Sequence, residues 1–192
     1  MDSMHRRAFA LAAVTGAAIL SSFAAGRVQA ARGDAVLPEG LTFRGLTGDT
    51  LAMDDWRGRP ILVVNTASRC GFTRQYDEMQ ALHERFADRG LVVLAVPSGD
   101  FNQELASDAE VAQFCEVNFG LTFPMAGITP VRGARAHPFY VWLSETHGFA
   151  PRWNFNKVLL GPDGRVAGTW GSMASPTGAA ILRAVEAALA SA

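Results

Sequence analysis

The hydrophobic pattern is dominated by two largely apolar runs, Ile61 to Ala67 and Leu91 to Val96. Continuous runs of this length are typical of strands that are buried on both faces, as in a parallel sheet. Between them, apolar side chains recur at helical spacing from Arg74 to Arg89, and Gly90 follows as a C-cap signal. The pattern therefore predicts a strand, a helix and a second strand in succession.

Shorter patterned segments flank this unit on both sides. Those that predict strands are Leu41 to Arg44, Thr50 to Met53, Phe123 to Met125, Val158 to Leu160 and Arg165 to Trp170. Those that predict helices are a segment opened by a capping box at Ser107 to Glu110, His137 to Ser144, and Pro176 to Ala190. Strands that alternate with helices indicate an α/β fold. We expect a thioredoxin-like fold, in which helices flank a central mixed β-sheet that follows an N-terminal β-hairpin.

The first thirty residues follow a different pattern. His5-Arg6-Arg7 precedes an Ala-rich apolar stretch from Ala8 to Ala25, and Val28-Gln29-Ala30 follows it. This order is typical of an export signal cleaved after Ala30, and the paired arginines favour the twin-arginine route. We therefore expect a signal peptide at 1–30, one folded domain at 31–192 and a periplasmic protein. The alternative is an N-terminal membrane anchor that leaves the domain facing the periplasm.

Composition and charge restrict the function of the folded domain. The chain has 192 residues, 17 basic and 18 acidic side chains, and a formal net charge of -1. This balance gives no basic surface for nucleic acid, which excludes that class of partner. His83 and His147 lack metal-ligand spacing to one another and to the cysteines. We expect no metal and no cofactor.

The two cysteines, Cys70 and Cys115, are the candidates for chemistry. Cys70 stands between the first buried strand and the first helix, so we expect it at a helix N-terminus, where the helix dipole favours the thiolate. Gly71-Phe72-Thr73 follows it instead of a second cysteine, which argues against a CxxC oxidoreductase. The alternative is that Cys70 is a small buried hydrophobe. In an oxidising compartment the two cysteines could form a structural or a catalytic disulfide.

Several segments together carry a resemblance to a known family. They are Asn65 to Thr73, Gly90 to Leu94, Phe101 to Glu104, Phe114 to Pro124, Ala136 to Pro138 and Trp153 to Phe155. In these segments and their order the chain resembles the glutathione peroxidase family, in the bacterial form that has cysteine in place of selenocysteine. The resemblance implies a thioredoxin-like peroxidase that reduces hydrogen peroxide and organic or lipid hydroperoxides.

The resemblance further implies a catalytic tetrad of Cys70, Gln103, Trp153 and Asn154. Two carboxamides and an indole offer three neutral N–H donors, which can converge on the sulfur and stabilise its anion. Taken one by one, these residues have other interpretations. Trp153 could be a core residue, and Gln103 and Asn154 could be ordinary turn residues.

Cys115 is implied as the resolving thiol. In this cycle Cys70 attacks a hydroperoxide and becomes a sulfenic acid, Cys115 condenses with it to a disulfide, and an external dithiol reduces the disulfide. Because Cys115 is predicted on a helix and a disulfide needs Cα atoms within about 7 Å, Phe114 to Asn118 would have to unwind. The alternative is that Cys115 is a buried helix residue and Cys70 works with monothiols.

Two departures from the family's pattern affect these expectations. The segment Ser98 to Asn102 is shorter than usual and contains Asp100, whose carboxylate would disfavour a nearby thiolate, so the placement of Gln103 is open. The short segment between Leu143 and Trp153 lacks the insertion of tetrameric members, which implies a monomer or weak dimer. An arginine cluster for glutathione is not recognisable, which favours a thioredoxin-like dithiol over glutathione as reductant.

Other interpretations stay open. His137 could pair with a thiolate as in Cys-His enzymes, but its place before Pro138 favours a structural hydrogen-bonding residue at a helix start. For the whole chain, the alternatives to a peroxidase are a peroxide sensor or redox relay, and a degenerate, non-catalytic family member.

Overall fold

A four-stranded mixed sheet is the centre of the fold. The computed structural model of the protein describes residues 35–192, so the predicted export signal at 1–30 lies outside the described residues. The elements are β1 (Thr42–Arg44), β2 (Thr50–Ala52), β3 (Ile61–Thr66), α1 (Gln75–Phe86), β4 (Val92–Pro97), α2 (Asp108–Phe119), α3 (Pro138–His147), β5 (Lys157–Leu160), β6 (Val166–Trp170) and α4 (Ala179–Ala190). The sheet order is β4-β3-β5-β6, with β4 parallel to β3 and the other pairs antiparallel. β1 and β2 form a separate antiparallel hairpin.

Both faces of the sheet are covered. Leu62 and Val64 of β3 belong to one cluster of buried side chains, and Ile61 and Val63 belong to a second cluster on the opposite face. The first cluster includes buried residues of α1, α2 and α4, and the second includes those of α3 and β1. Because β3 has no face towards solvent, its hydrophobic pattern is continuous. The predicted α/β architecture, with its N-terminal hairpin, is confirmed.

The helix ends follow local sequence signals in several places. At the start of α2, the Ser107 hydroxyl accepts from the Glu110 N–H at 3.3 Å, and the Glu110 carboxylate accepts from the Ser107 N–H at 3.0 Å. This reciprocal pair is the predicted capping box. After α1 a short 3-10 turn leads to Gly90, whose φ of 106° is left-handed and suits a residue without a side chain.

α4 begins at Ala179, later than the predicted Pro176, because Gly178 is still extended. α1 begins at Gln75, one residue after the predicted Arg74, and a run of tight turns separates it from Cys70. None of the helices in the described part of the chain is long and apolar enough to cross a membrane.

Candidate active site

Cys70 lies in the turn between β3 and α1, with only 6% of its surface exposed. The expected position at the helix N-terminus is not observed. Instead, the Thr73 N–H donates to the Cys70 carbonyl at 3.2 Å, and the Tyr76 N–H donates to the Thr73 carbonyl at 2.9 Å. These four-residue turns separate Cys70 from the first turn of α1. Cys70 therefore precedes the helix instead of opening it.

The segment Gln103 to Leu105 lies against the Cys70 turn. The Arg69 N–H donates to the Gln103 carbonyl at 2.8 Å. The Ser68 N–H donates to the Glu104 carboxylate at 3.0 Å, and the Leu105 N–H donates to the same carboxylate oxygen at 2.8 Å. These bonds place Gln103 beside the Cys70 turn although the preceding loop is short.

Two of the predicted site residues are bonded to each other. The Asn154 side-chain amide donates to Gln103 Oε1 at 2.9 Å. With its oxygen occupied in this way, Gln103 keeps its NH₂ group as a donor for another partner. Trp153 is 41% exposed and packs against Phe101 with ring centroids 5.5 Å apart, so its interpretation as a core residue is wrong.

Asn65 holds the turn that carries Trp153 and Asn154. It is buried in β3, and its amide donates to the Trp153 carbonyl at 3.0 Å while its Oδ1 accepts from the Asn156 N–H at 3.0 Å. Phe155, inside this turn, has a left-handed φ of 59°, which is unfavourable for a bulky residue unless its neighbours impose it. Asn65 was not among the predicted site residues. A polar residue within an otherwise apolar buried strand is the signal that could have found it.

A second polar cluster, formed by Lys157, Gln75 and Ser172, is bonded to the turn that carries Trp153 and Asn154. Lys157 is fully buried, and its ammonium donates to Gln75 Oε1 and, at 3.4 Å, to the Ser172 carbonyl. The Ser172 hydroxyl in turn donates to the Asn154 carbonyl at 2.6 Å. Burial lowers the pKa of Lys157 to about 8, and the nearby Glu78 carboxylate partly opposes this shift. The cluster joins the start of α1 to the Asn154 turn.

Cys115 lies on α2, as predicted, and is buried. Both cysteines are free thiols and belong to the same cluster of buried side chains. Burial raises the pKa of Cys115 to about 11; the neighbouring Tyr76 hydroxyl opposes this shift, and the Glu104 carboxylate adds to it. Cys115 also lines a groove of about 530 Å³ between the β1-β2 hairpin and residues 121–125. Its resolving role stays a prediction.

Asp100 has a defined position in the shortened loop. Its carboxylate accepts from the Val131 N–H at 2.6 Å and from the Arg132 N–H at 3.1 Å. Asn102, two residues later, has a left-handed φ of 57°, a conformation that asparagine tolerates better than most residues. Asp100 therefore ties the loop to the segment before α3.

His137 is a structural residue, as the sequence analysis predicted. Its Nδ1 accepts from the Phe139 N–H at 3.2 Å, and its Nε2 lies 2.9 Å from the Thr42 carbonyl oxygen. Since a carbonyl only accepts, Nε2 carries the proton. The ring stacks on Phe43 at 4.0 Å, and burial lowers the pKa of His137, although its bond to Thr42 partly opposes the shift. His137 therefore caps α3 and joins it to β1.

Sequence comparison decides the family to which this site belongs. The profile of the family described as glutathione peroxidase matches residues 40–144. The chain belongs to the glutathione peroxidase family. It is 40% identical over 148 residues to the hydroperoxy fatty acid reductase of Synechocystis, which is 71% of this chain and 88% of that protein. It is 38% identical over 136 residues to a glutathione peroxidase-like peroxiredoxin of Saccharomyces cerevisiae, which is 68% of this chain and 83% of that protein. The predicted family and the predicted peroxidase activity are confirmed.

Solved structures confirm the thioredoxin-like fold of this glutathione peroxidase family member. The apo form of Trgpx matches with a TM-score of 0.62 at 30% identity, covering 78% of this chain and 93% of that one. A thiol:disulfide interchange protein of the thioredoxin family from Chlorobium tepidum matches with a TM-score of 0.60 over 81% of this chain and 97% of that one. The latter is 16% identical and shows the fold alone.

Proposed function

We propose that this protein is a thiol peroxidase in which Cys70 attacks the hydroperoxide. The thiolate sulfur bonds to the outer peroxide oxygen, the O–O bond breaks, and water or an alcohol leaves while Cys70 becomes a sulfenic acid. The observation that carries this proposal is the bonded array that links the Cys70 turn to Gln103 and Gln103 to Asn154. It brings distant parts of the chain to the single thiol that follows β3.

Gln103, Trp153 and Asn154 are proposed to stabilise the thiolate and the departing oxygen. Gln103 has a free NH₂ group because its oxygen accepts from Asn154, and the exposed Trp153 carries an indole N–H. Hydrogen bonds to the charged form of a group favour that form. Neutral donors do so without competing for the proton of the thiol.

Cys115 is proposed to resolve the sulfenic acid as a disulfide. Its thiol is buried, and burial raises its pKa to about 11, which disfavours the thiolate as long as Cys115 stays in its position on α2. α2 is suited to this release, because its buried residues are only Val111 and Cys115. Unwinding around Cys115 would have to break the ring contacts of Phe119 with Tyr76 and Phe114, which is the apolar cost of this release.

The central experiment is a peroxide assay combined with mass spectrometry. We expect continuous hydroperoxide consumption with a thioredoxin system, complete loss of turnover in Cys70→Ser, and a Cys70 to Cys115 disulfide after one equivalent of hydroperoxide. Cys115→Ser should stop at the sulfenic acid and lose turnover with the dithiol. One stoichiometric oxidation without turnover would instead identify a sensor or relay.

The substrate and the reductant belong to the same proposal. We infer that organic and lipid hydroperoxides are reduced as well as hydrogen peroxide, because one relative is named a hydroperoxy fatty acid reductase and Trp153 offers an exposed apolar surface. A thioredoxin-like dithiol is the proposed reductant, with glutathione as the alternative. Rates with both reductants, and with hydrogen peroxide against a fatty acid hydroperoxide, test this preference.

We also propose that the protein is exported and acts in the periplasm as a monomer or weak dimer. The support is the sequence pattern of residues 1–30 and the short segment between Leu143 and Trp153. N-terminal sequencing of the exported protein should give a first residue near Ala31. A retained N-terminus in the membrane fraction would support the anchor, and light scattering measures the oligomeric state.

A further inference from the structure

Some buried polar atoms without a hydrogen bond of good geometry belong to residues close to Cys70 in sequence or to residues that interact with Cys115. Within the described residues they include Thr66 Oγ1, Ser68 Oγ, Tyr76 Oη and Glu104 Oε2. Native proteins pair nearly all buried polar atoms, and the exceptions call for an explanation such as a catalytic role. Of the four groups, Glu104 is the carboxylate and therefore the strongest proton acceptor.

Glu104 is fixed against the Cys70 turn by one of its oxygens. Oε1 accepts from the Ser68 N–H at 3.0 Å and from the Leu105 N–H at 2.8 Å. Oε2 is buried and makes no hydrogen bond with a backbone N–H of residues 35–192, and the Ser68 side chain interacts with the same carboxylate. The carboxylate thus holds a fixed position and presents Oε2, which no backbone N–H occupies, beside the segment that carries Cys70.

Charged and titratable groups around Glu104 influence its protonation. Burial raises the pKa of Glu104, and its hydrogen bonds with Ser68 and Leu105 and the charge of Arg69 oppose this shift. Glu104 also interacts electrostatically with Cys115 and Tyr76, and the Tyr76 hydroxyl faces Cys115 without a hydrogen bond of good geometry. A carboxylate that is less acidic than usual is a better proton acceptor.

The resolving thiol needs such an acceptor. A thiol with the high pKa of Cys115 is a weak nucleophile until its proton is removed. To reach Cys70, the Cys115 sulfur must approach the turn whose Ser68 N–H is bonded to Glu104. The attacking thiol therefore arrives beside Oε2 of Glu104.

We propose that Glu104 accepts the proton of Cys115 during disulfide formation, an inference that rests on the proposed function. The Cys115 sulfur attacks the Cys70 sulfur, the S–S bond forms and the S–O bond of the sulfenic acid breaks. The proton of Cys115 passes to Glu104 Oε2 and then to the departing hydroxide, which leaves as water. Cys115 is oxidised, the sulfenic sulfur is reduced, and Glu104 returns to the carboxylate. The attack of Cys70 on peroxide does not use Glu104.

The test measures two steps separately in Glu104→Gln: the attack of Cys70 on peroxide and the formation of the disulfide with Cys115. An amide oxygen can still accept from the Ser68 and Leu105 N–H groups, but the amide is a far weaker base. The full-length protein is mixed with one equivalent of hydrogen peroxide, quenched over time with dimedone and an alkylating agent, and analysed by mass spectrometry. We expect sulfenic acid to form at the wild-type rate or faster and the disulfide to form at least tenfold more slowly. Glu116→Gln, an exposed change next to Cys115 on α2, is the matched control and should leave both steps unchanged.

The outcomes distinguish this inference from the proposed function. Disulfide formation in Glu104→Gln at the wild-type rate, or equal slowing of both steps, would overturn the role of Glu104 alone. A wild-type protein that forms no sulfenic acid would overturn the peroxidase mechanism itself.

The pH profile of the wild-type protein is a second measurement that needs no variant. Its disulfide-forming rate should fall as Glu104 becomes protonated at acid pH, and a profile without this fall would overturn the inference.

Discussion

At the scale of single residues, the candidate site is held by side chains that do not belong to the predicted tetrad. Asn65 bonds the backbone of Trp153 and Asn156, and Glu104 bonds the backbone of Ser68. Asn65 acts by fixing geometry, so its removal should disturb both stability and peroxide reactivity. The effects should be measurable while Cys70 itself is intact.

Asn65→Ala tests whether Asn65 positions the turn that carries Trp153 and Asn154. The change removes two buried side-chain hydrogen bonds and leaves the Trp153 carbonyl with Asn156 as its remaining amide donor. We expect the free energy of unfolding to fall by about 2 to 4 kcal/mol, since the unpaired Asn156 N–H costs about 1 to 3 kcal/mol and the lost hydrogen bond to the Trp153 carbonyl about 1 kcal/mol. The rate constant for peroxide reduction should fall as well, because the Asn154 amide loses its fixed position.

Urea denaturation and peroxide kinetics measure the two effects. Asn118→Ala is the matched control, because Asn118 is exposed and its amide bonds only the Phe114 carbonyl of its own helix. We expect a change within about 0.5 kcal/mol for the control. Wild-type peroxide kinetics in a stably folded Asn65→Ala protein would contradict the positioning role.

At the scale of elements, α2 is the helix that the proposed cycle must open. It buries only Val111 and Cys115, whereas α1 buries Gln75, Tyr76, Met79, Leu82 and Phe86. The capping box at Ser107 partly compensates for this small number of buried residues, since it satisfies two N–H groups that the helix would leave unpaired. Its strength should therefore influence how readily Cys115 is released.

Ser107→Ala should loosen α2 without touching either cysteine. Loss of an N-cap side chain costs about 1 kcal/mol. If helix opening limits disulfide formation, we expect the disulfide to form faster after peroxide treatment, by up to about fivefold. Ser144→Ala, an exposed serine on α3, is the control for the substitution itself. A destabilised Ser107→Ala protein that forms the disulfide at the wild-type rate would show that opening does not start at this end.

β5 carries a second element-scale feature, the buried Lys157. Its pKa is lowered from 10.5 to about 8 in the folded protein. Between these pH values the unfolded chain binds more protons than the folded chain, so the contribution of Lys157 to the free energy of unfolding rises with pH. We expect the difference in this free energy between wild type and Lys157→Met to shift in favour of the wild type from pH 8 to pH 10.5.

Denaturation of both proteins across this pH range provides the measurement. The difference in the free energy of unfolding between the two proteins cancels the contributions of groups that titrate in this range in both, such as the cysteines and tyrosines. Arg183→Met, an exposed cation on α4, is the control, and its difference from wild type should not change with pH. A constant difference for Lys157→Met would mean that Lys157 remains charged in the folded state.

At the scale of the whole molecule, the proposed cycle couples oxidation to the loss of helix. A disulfide between Cys70 and Cys115 needs Cα atoms within about 7 Å, and Cys115 lies inside the 12-residue helix α2. We expect one equivalent of hydrogen peroxide to reduce the helical circular dichroism signal by the amount that part of α2 contributes to it. Dithiothreitol should restore it, and Cys115→Ser should show no loss. A disulfide formed without spectral change would mean that Cys115 reaches Cys70 from its helical position.

The order of elements was predictable because it depends on short-range pattern. The continuous apolar runs gave β3 and β4, helical spacing gave α1, and the capping box gave the start of α2. The position of Cys115 on a helix and the role of His137 before Pro138 followed from equally local signals. The start of α1 was predicted to within one residue, but Cys70 was wrongly expected at the helix N-terminus, because tight turns and a first helical turn share the same residue preferences.

The sequence by itself determined the α/β order, the buried strands, the helical position of Cys115 and, through its motifs, the family of peroxidases. Only the tertiary structure decided what surrounds Cys70. Ser68 and Glu104 are 36 positions apart, Gln103 and Asn154 are 51 apart, and Asn65 and Trp153 are 88 apart. Hydrogen bonds over such separations exist only after the sheet has brought its loops together, and local pattern carries no information about them.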